Sequence, residues 1–154
     1  MIIFRNANFI VSEPDTVPTG ICIIAHAPLA SAFKTCAQHI YSMTGDRKAE
    51  RVLAYDVPSG VDLAEGVAYA RRLIGELLAH ADGVVVFTDL TGATPGNIAR
   101  QLFEDGRVYV VSGTNLPAIV SALSAAPDVP AGRVASMAEA AARASLSSLI
   151  DRCD

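Results

Sequence analysis

The stretch GVVVFTDLTGATPGN, residues 83–97, decides the fold. Gly83 to Thr88 is a short apolar run with three consecutive valines and a phenylalanine, the composition of a strand covered on both faces in a parallel sheet. Asp89 closes the run. Gly92 then permits a tight turn, Thr94 offers a hydroxyl to cap a helix, and Pro95 sits where proline is favoured, at the first helical position. A buried strand passing within a few residues into a helix start is one βα unit.

The same unit recurs on either side. Upstream, Ile21 to Ala25 reads as a first strand, and Leu29, Phe33, Cys36, Ala37 and Ile40 recur at helical spacing, which predicts a helix from about Pro28 to Met43 ended by Gly45. Arg51 to Tyr55 is a short second strand, closed by a turn at Asp56 to Gly60. A second helix follows from about Asp62 to His80, with Asp62 and Glu65 at capping-box spacing. Downstream, a helix runs through Phe103 and stops at Gly106, and Val108 to Val111 is the fourth strand. The segment SGTNLP precedes a helix at Ala118 to Ala125, and the Pro-rich link APDVPAG leads to a last helix from about Ser136 to Asp151. This alternation predicts an α/β fold: a doubly wound, mainly parallel four-stranded sheet of order 2-1-3-4 with helices on both faces. Residues 1–19, ending in SEPDTVPTG, read as an N-terminal arm, and 20–154 as a single domain without internal repeats.

Composition narrows the function. The chain has 154 residues, of which 51% are hydrophobic but only 6% aromatic, with no tryptophan, so its core is built from Ala, Val, Ile and Leu. Net charge is −4 with Lys and Arg scattered, which leaves no electrostatic footprint for nucleic acid. Three cysteines without a CxxC pair fit a reducing compartment and a cytoplasmic protein. No apolar run approaches the roughly 20 residues that span a bilayer, and the N-terminus lacks a signal-peptide core. Any association with a membrane is expected to be indirect.

In doubly wound sheets, ligands lie outside the carboxyl ends of the strands where the strand order reverses. His26 ends the first strand and Asp89 the third, and in the order 2-1-3-4 these are neighbours whose side chains face each other across the crevice. A carboxylate that accepts a hydrogen bond from one ring nitrogen fixes the tautomer and leaves the other nitrogen unprotonated. It also steadies positive charge on the ring as a new bond forms. The oxygens of a transferring phosphoryl group need donors, which backbone N–H groups at the two helix starts and the Thr94 hydroxyl can supply. Separately, each residue has a plainer role: His26 as a structural histidine, Asp89 as a turn residue, Thr94 as a helix cap, Asn115 and Pro117 as a turn and helix start. The first loop, AHAPLA, lacks GxGxxG and the P-loop pattern, which argues against a nucleotide or flavin. Cys22 shares a strand face with His26, but no further ligand lies nearby in sequence, so no metal site is expected.

In order and spacing, GICIIAHAPLASAF (20–33), VVVFTDLTGATPGNIA (84–99) and VVSGTNLPAIVSAL (110–123) resemble the IIA domains of the mannose-type (mannose–fructose–sorbose) sugar phosphotransferase system. The resemblance covers about residues 20 to 125. It implies a cytoplasmic, usually dimeric phosphocarrier that needs no cofactor, takes phosphate from the phosphocarrier protein HPr and passes it to a IIB component. His26 is then the phosphorylated residue, on Nε2, with Asp89 orienting it, Ala27, Leu90, Gly92 and Thr94 around the phosphate and Asn115 lining the crevice. Relatives also carry an extra strand near the C-terminus that is exchanged within the dimer, for which Gly132 to Ala135 is the candidate here. Many relatives have glycine directly after the histidine, where this chain has Ala27 and Pro28; the aromatic common at the position of Thr91 is absent. A regulatory phospho-switch, or a phosphoryl donor to a dihydroxyacetone kinase, uses the same residues and stays open as an alternative.

Overall fold

The computed structural model describes residues 17–147; most of the N-terminal arm and the expected end of the last helix lie outside the described residues. In chain order the elements are β1 (Gly20–His26), α1 (Leu29–Ser42), a 3-10 turn (Lys48–Arg51), β2 (Val52–Val57) and α2 (Leu63–Leu78). They continue with β3 (Val84–Thr88), α3 (Thr94–Arg100), β4 (Val108–Ser112), α4 (Leu116–Ser124) and α5 (Ala131–Ser145). The four strands form one sheet of order β2-β1-β3-β4, parallel at every pairing, as the sequence predicts.

The two central strands are the two most continuously apolar runs of the chain. Ile21 to Ala25 and Val84 to Phe87 are at most 2% exposed, and each fully buried Val, Ile or Phe contributes about 1.5–3 kcal/mol of transfer free energy. The edge strands carry the residues that tolerate water, such as Tyr55 and Asp56 on β2 and Tyr109 on β4.

From β1 the chain steps one way to β2, then back across the sheet to β3 and β4. Right-handed crossovers place the connecting helices of the two directions on opposite faces. Accordingly α1 packs with α4 and α5 through Ala37, Tyr41, Ile119 and Val134 against Ile21, Ile23 and Phe87. On the other face α2 and α3 pack through Val67, Ile74 and Ile98 against Cys22, Ile24 and Val86. Alternate residues of β1 and β3 thus feed two cores, and the strand-order reversal opens a crevice between their carboxyl ends.

Three expectations need correction. Gly132 to Ala135 is not an edge strand but the first turn of α5. Pro130 stands at its N-cap, the Pro130 carbonyl accepts the N–H groups of Arg133 and Val134, and Ala131, Val134, Ala135 and Ala138 form its buried stripe. A Cβ on Gly132 would meet the Tyr109 ring at 2.8 Å, so the small residue is what lets α5 lie on β4. The last helix therefore begins at Ala131 rather than near Ser136. Finally, α3 stops at Arg100, leaving Phe103 off the helix and 56% exposed.

Candidate functional site

The buried run of β1 ends abruptly in water: Ala25 is 1% exposed, whereas the His26 side chain is 54% exposed. The register pairs Ile24 with Thr88, so β1 and β3 finish side by side and Asp89 is the first residue beyond β3. His26 Nδ1 lies 2.7 Å from Asp89 Oδ2, and the His26 backbone N–H donates to the same oxygen at 2.9 Å. The other carboxylate oxygen, Oδ1, accepts the Leu90 N–H at 2.8 Å. Asp89 is clamped at both oxygens and orients the ring from below.

Partial burial by itself would raise the Asp89 carboxyl. The hydrogen bonds from the His26 N–H, the His26 ring and the Leu90 N–H outweigh it and hold the group below the usual carboxylate range. Asp89 is thus an ionised acceptor, and an ionised carboxylate can only accept. With Asp89 as acceptor, Nδ1 is the protonated ring nitrogen of the neutral tautomer, and Nε2 has no partner among the described residues.

Neighbouring loops brace this pair. The N–H groups of Gly113 and Thr114 donate to the carbonyls of Asp89 and Thr88 at 3.1 and 3.2 Å, tying the loop after β4 to the end of β3. On the far side Asp56 Oδ1 accepts the Ser31 N–H at 3.0 Å, so a carboxylate from β2 caps the first turn of α1. Neither brace is legible in sequence; Asp56 reads there as part of a turn, yet it belongs to β2, where it is paired with Ala25.

The remaining expected residues divide into two groups. The N–H of Ala27 donates to the Val57 carbonyl at 3.1 Å and that of Leu90 to Asp89, so both are engaged in holding the loops. By contrast, the N–H groups of Gly92 and Thr94 have no acceptor among the described residues, nor does the exposed Thr94 hydroxyl have a partner. Gly92 takes φ +86°, a conformation that favours glycine. Thr94 is not the cap the sequence suggests: Ala93 occupies the N-cap position, no side chain caps α3, and Pro95 follows Thr94 within the first turn. Asn115 caps α4 instead, accepting the Ala118 N–H at 3.1 Å and donating to the Ala142 carbonyl at 3.2 Å. Its contacts join α4 to α5 and do not reach His26 or Asp89. Cys22, on the same strand face as His26, is fully buried, and burial pushes its thiol up to about 12. Among the described residues no group of three or more His, Cys, Asp or Glu side chains is placed to hold a metal.

The chain is similar to a phosphotransferase-system IIA protein associated with the fucose utilization operon of Streptococcus pneumoniae, at 24% identity and TM-score 0.73, over 90% of this chain and 98% of that one. It is similar also to the phosphotransferase system component EIIA of Streptococcus agalactiae, at 19% identity and TM-score 0.72, covering 88% of this chain and 99% of the other. A third is the mannose/sorbose-specific IIA subunit of Enterococcus faecalis, at 18% identity and TM-score 0.69, with coverages of 86% and 96%. At such identities these likenesses establish the fold. No curated protein matches the sequence. The sequence model described as the fructose IIA component of the phosphotransferase system (PTS) matches residues 20–141, most of the chain and the whole of the His26–Asp89 site, and the chain belongs to that family.

Proposed function

We propose that the protein is a phosphohistidine carrier of a phosphoenolpyruvate-dependent sugar phosphotransferase system, accepting phosphate from HPr on His26 Nε2 and passing it to a IIB component. The observation that carries this reading is the 2.7 Å contact of Nδ1 with an ionised Asp89, which in the neutral ring puts the proton on Nδ1 and the lone pair on Nε2. In the transfer the Nε2 lone pair forms a new P–N bond while the P–N bond of the donor phosphohistidine breaks, its electron pair returning to the donor nitrogen. No proton needs to move. The ring gains positive charge beside Asp89, which balances it, so the carboxylate favours the phosphorylated state over the bare one.

The phosphoryl oxygens are received by the groups left without acceptors, the N–H groups of Gly92 and Thr94 and the Thr94 hydroxyl. Ala27 and Leu90 act one step back, through the loop and through Asp89. The reaction draws on no cofactor. HPr, a IIB component and a second copy of the chain in a homodimer are the partners the family suggests. In this reading the protein works in the cytoplasm, and residues 20–154 form the carrier unit with 1–19 as an arm.

The test is incubation with phosphoenolpyruvate, enzyme I and HPr, followed by mass spectrometry. An acid-labile gain of one phosphate is expected on His26, absent in His26→Ala and slowed in Asp89→Ala. Labelling that survives His26→Ala moves the reactive residue elsewhere and ends the proposal.

A further inference from the structure

Beside this site, between α3 and the edge strand β4, lies a cavity of about 370 Å³ whose lining shares only Gly92 with the proposed phosphotransfer. It exists because α3 has only seven residues and stops at Arg100, leaving the faces of Val110 and Ser112 on β4 uncovered. Gly96 fixes its helical wall: a Cβ there would come within 2.5 Å of the Leu90 carbonyl oxygen, so α3 sits hard against the loop. The volume is at the small end of the roughly 300–1,000 Å³ typical of ligand pockets.

Its polar side chains are those of Thr88, Thr91, Asn97, Arg100 and Ser112, and the Asn97 amide donates to the Gly92 carbonyl at 3.2 Å. Thr88 lines the cavity, is 1% exposed, and its hydroxyl has no hydrogen-bond partner among the described residues. Buried hydroxyls are almost always paired, so this one marks a place where a partner belongs. The Thr91 and Ser112 hydroxyls lie 2.7 Å apart and bond to each other, which leaves one O–H of the pair free to donate outward. The guanidinium of Arg100 forms no ion pair among the described residues, and no Asp or Glu lines the cavity. The rest of the wall is apolar: Val110 and the exposed Phe103, whose ring is held edge-on to Tyr109 at 6.0 Å between centroids.

The geometry points to a binding site for a small organic anion, its carboxylate or phosphate oxygens shared by Arg100 and the Thr88, Thr91 and Ser112 hydroxyls and its apolar body against Phe103 and Val110. An unpaired cation, a set of hydroxyl donors and an aromatic wall without any nearby carboxylate select an anionic head on an apolar body over a neutral or cationic molecule. Thr88 and Thr91 flank Asp89 and Leu90 in the chain, so the site adjoins the reactive histidine without including it.

The experiment titrates the unphosphorylated protein with benzoate, phenyl phosphate and, as the uncharged control, benzyl alcohol, following backbone amide resonances. Saturable shifts at Thr88, Gly96 and Ser112 are expected for at least one anion with Kd of about 1 mM or tighter, and tenfold weaker binding of benzyl alcohol. Which anion binds more tightly separates a carboxylate from a phosphate ligand. Arg100→Gln, on an exposed helix face, is expected to weaken the anion about tenfold. Thr88→Val is expected to weaken it about threefold and to raise Tm, because the isosteric change removes an unpaired buried hydroxyl. Absence of saturable shifts at these amides, equal binding of benzyl alcohol, or binding indifferent to both variants overturns the proposal. None of these readouts needs HPr or a phosphorylated His26, so the outcome is independent of the phosphotransfer reading.

Discussion

Helices α2 and α3 begin in opposite ways. At α2 the chain supplies its own closure: Asp62 Oδ1 accepts the N–H groups of Ala64 and Glu65 at 2.9 and 3.1 Å. At α3 the N-cap is Ala93, no side chain closes the turn, and the Thr94 amide and hydroxyl are left without partners beside the loop that holds Asp89. One start is finished by the fold; the other leaves an amide and a hydroxyl free. The difference teaches that an unsatisfied turn is informative when the same chain caps a comparable turn well.

The comparison can be broken by substitution. The largest effect belongs to the ring and its orienting acid: in Asp89→Asn the rate of His26 phosphorylation is expected to fall about 10²- to 10³-fold, read as label incorporated per minute. Thr94→Val should slow phosphorylation about tenfold, below what an enclosed oxyanion donor gives because this hydroxyl is open to water, while shifting stability by less than about 0.5 kcal/mol. Asp62→Ala should do the reverse, lowering unfolding free energy by about 1 kcal/mol in urea with phosphorylation unchanged. If Thr94→Val were the destabilising change and Asp62→Ala the slow one, the two helix starts would have to exchange roles.

A smaller effect concerns pH. Because Asp89 is held below its ordinary value near 3.9, its contribution to stability is fully present above that pH and lost as pH falls through the lower folded value. The stability gap between the protein and Asp89→Asn is therefore expected to shrink as pH falls below about 4. Paired urea titrations at a series of pH values check it.

Much of this was readable before any coordinates. The apolar runs at 21–25 and 83–88 place β1 and β3 in the centre of the sheet, and residues directly after such runs must surface, so His26 and Asp89 were legible as a pair. What the amides do was not. Whether the Leu90 N–H meets an incoming anion or Asp89 depends on a loop conformation that no periodicity encodes, and the bond from Ser31 to Asp56 needs the β1–β2 register. The segment 132–135 reads ambiguously because its small residues give a weak signal in either period, although Ala131, Val134, Ala135 and Ala138 do recur at helical spacing. The orphan hydroxyl of Thr88 is hidden for a different reason: a threonine closing a buried strand is ordinary until the fold is seen to leave its hydroxyl without a partner.

The double grip on Asp89 has a consequence for traffic. With one carboxylate oxygen tied to Leu90 and the other to both the ring and the backbone of His26, the imidazole has a single outward apex and no second orientation to offer. In the proposed phosphotransfer such a ring works as a turnstile: the supplier and the recipient approach along one line, each leaving before the other enters, and the steady-state kinetics with two partners are expected to be ping-pong, with parallel rather than intersecting double-reciprocal plots.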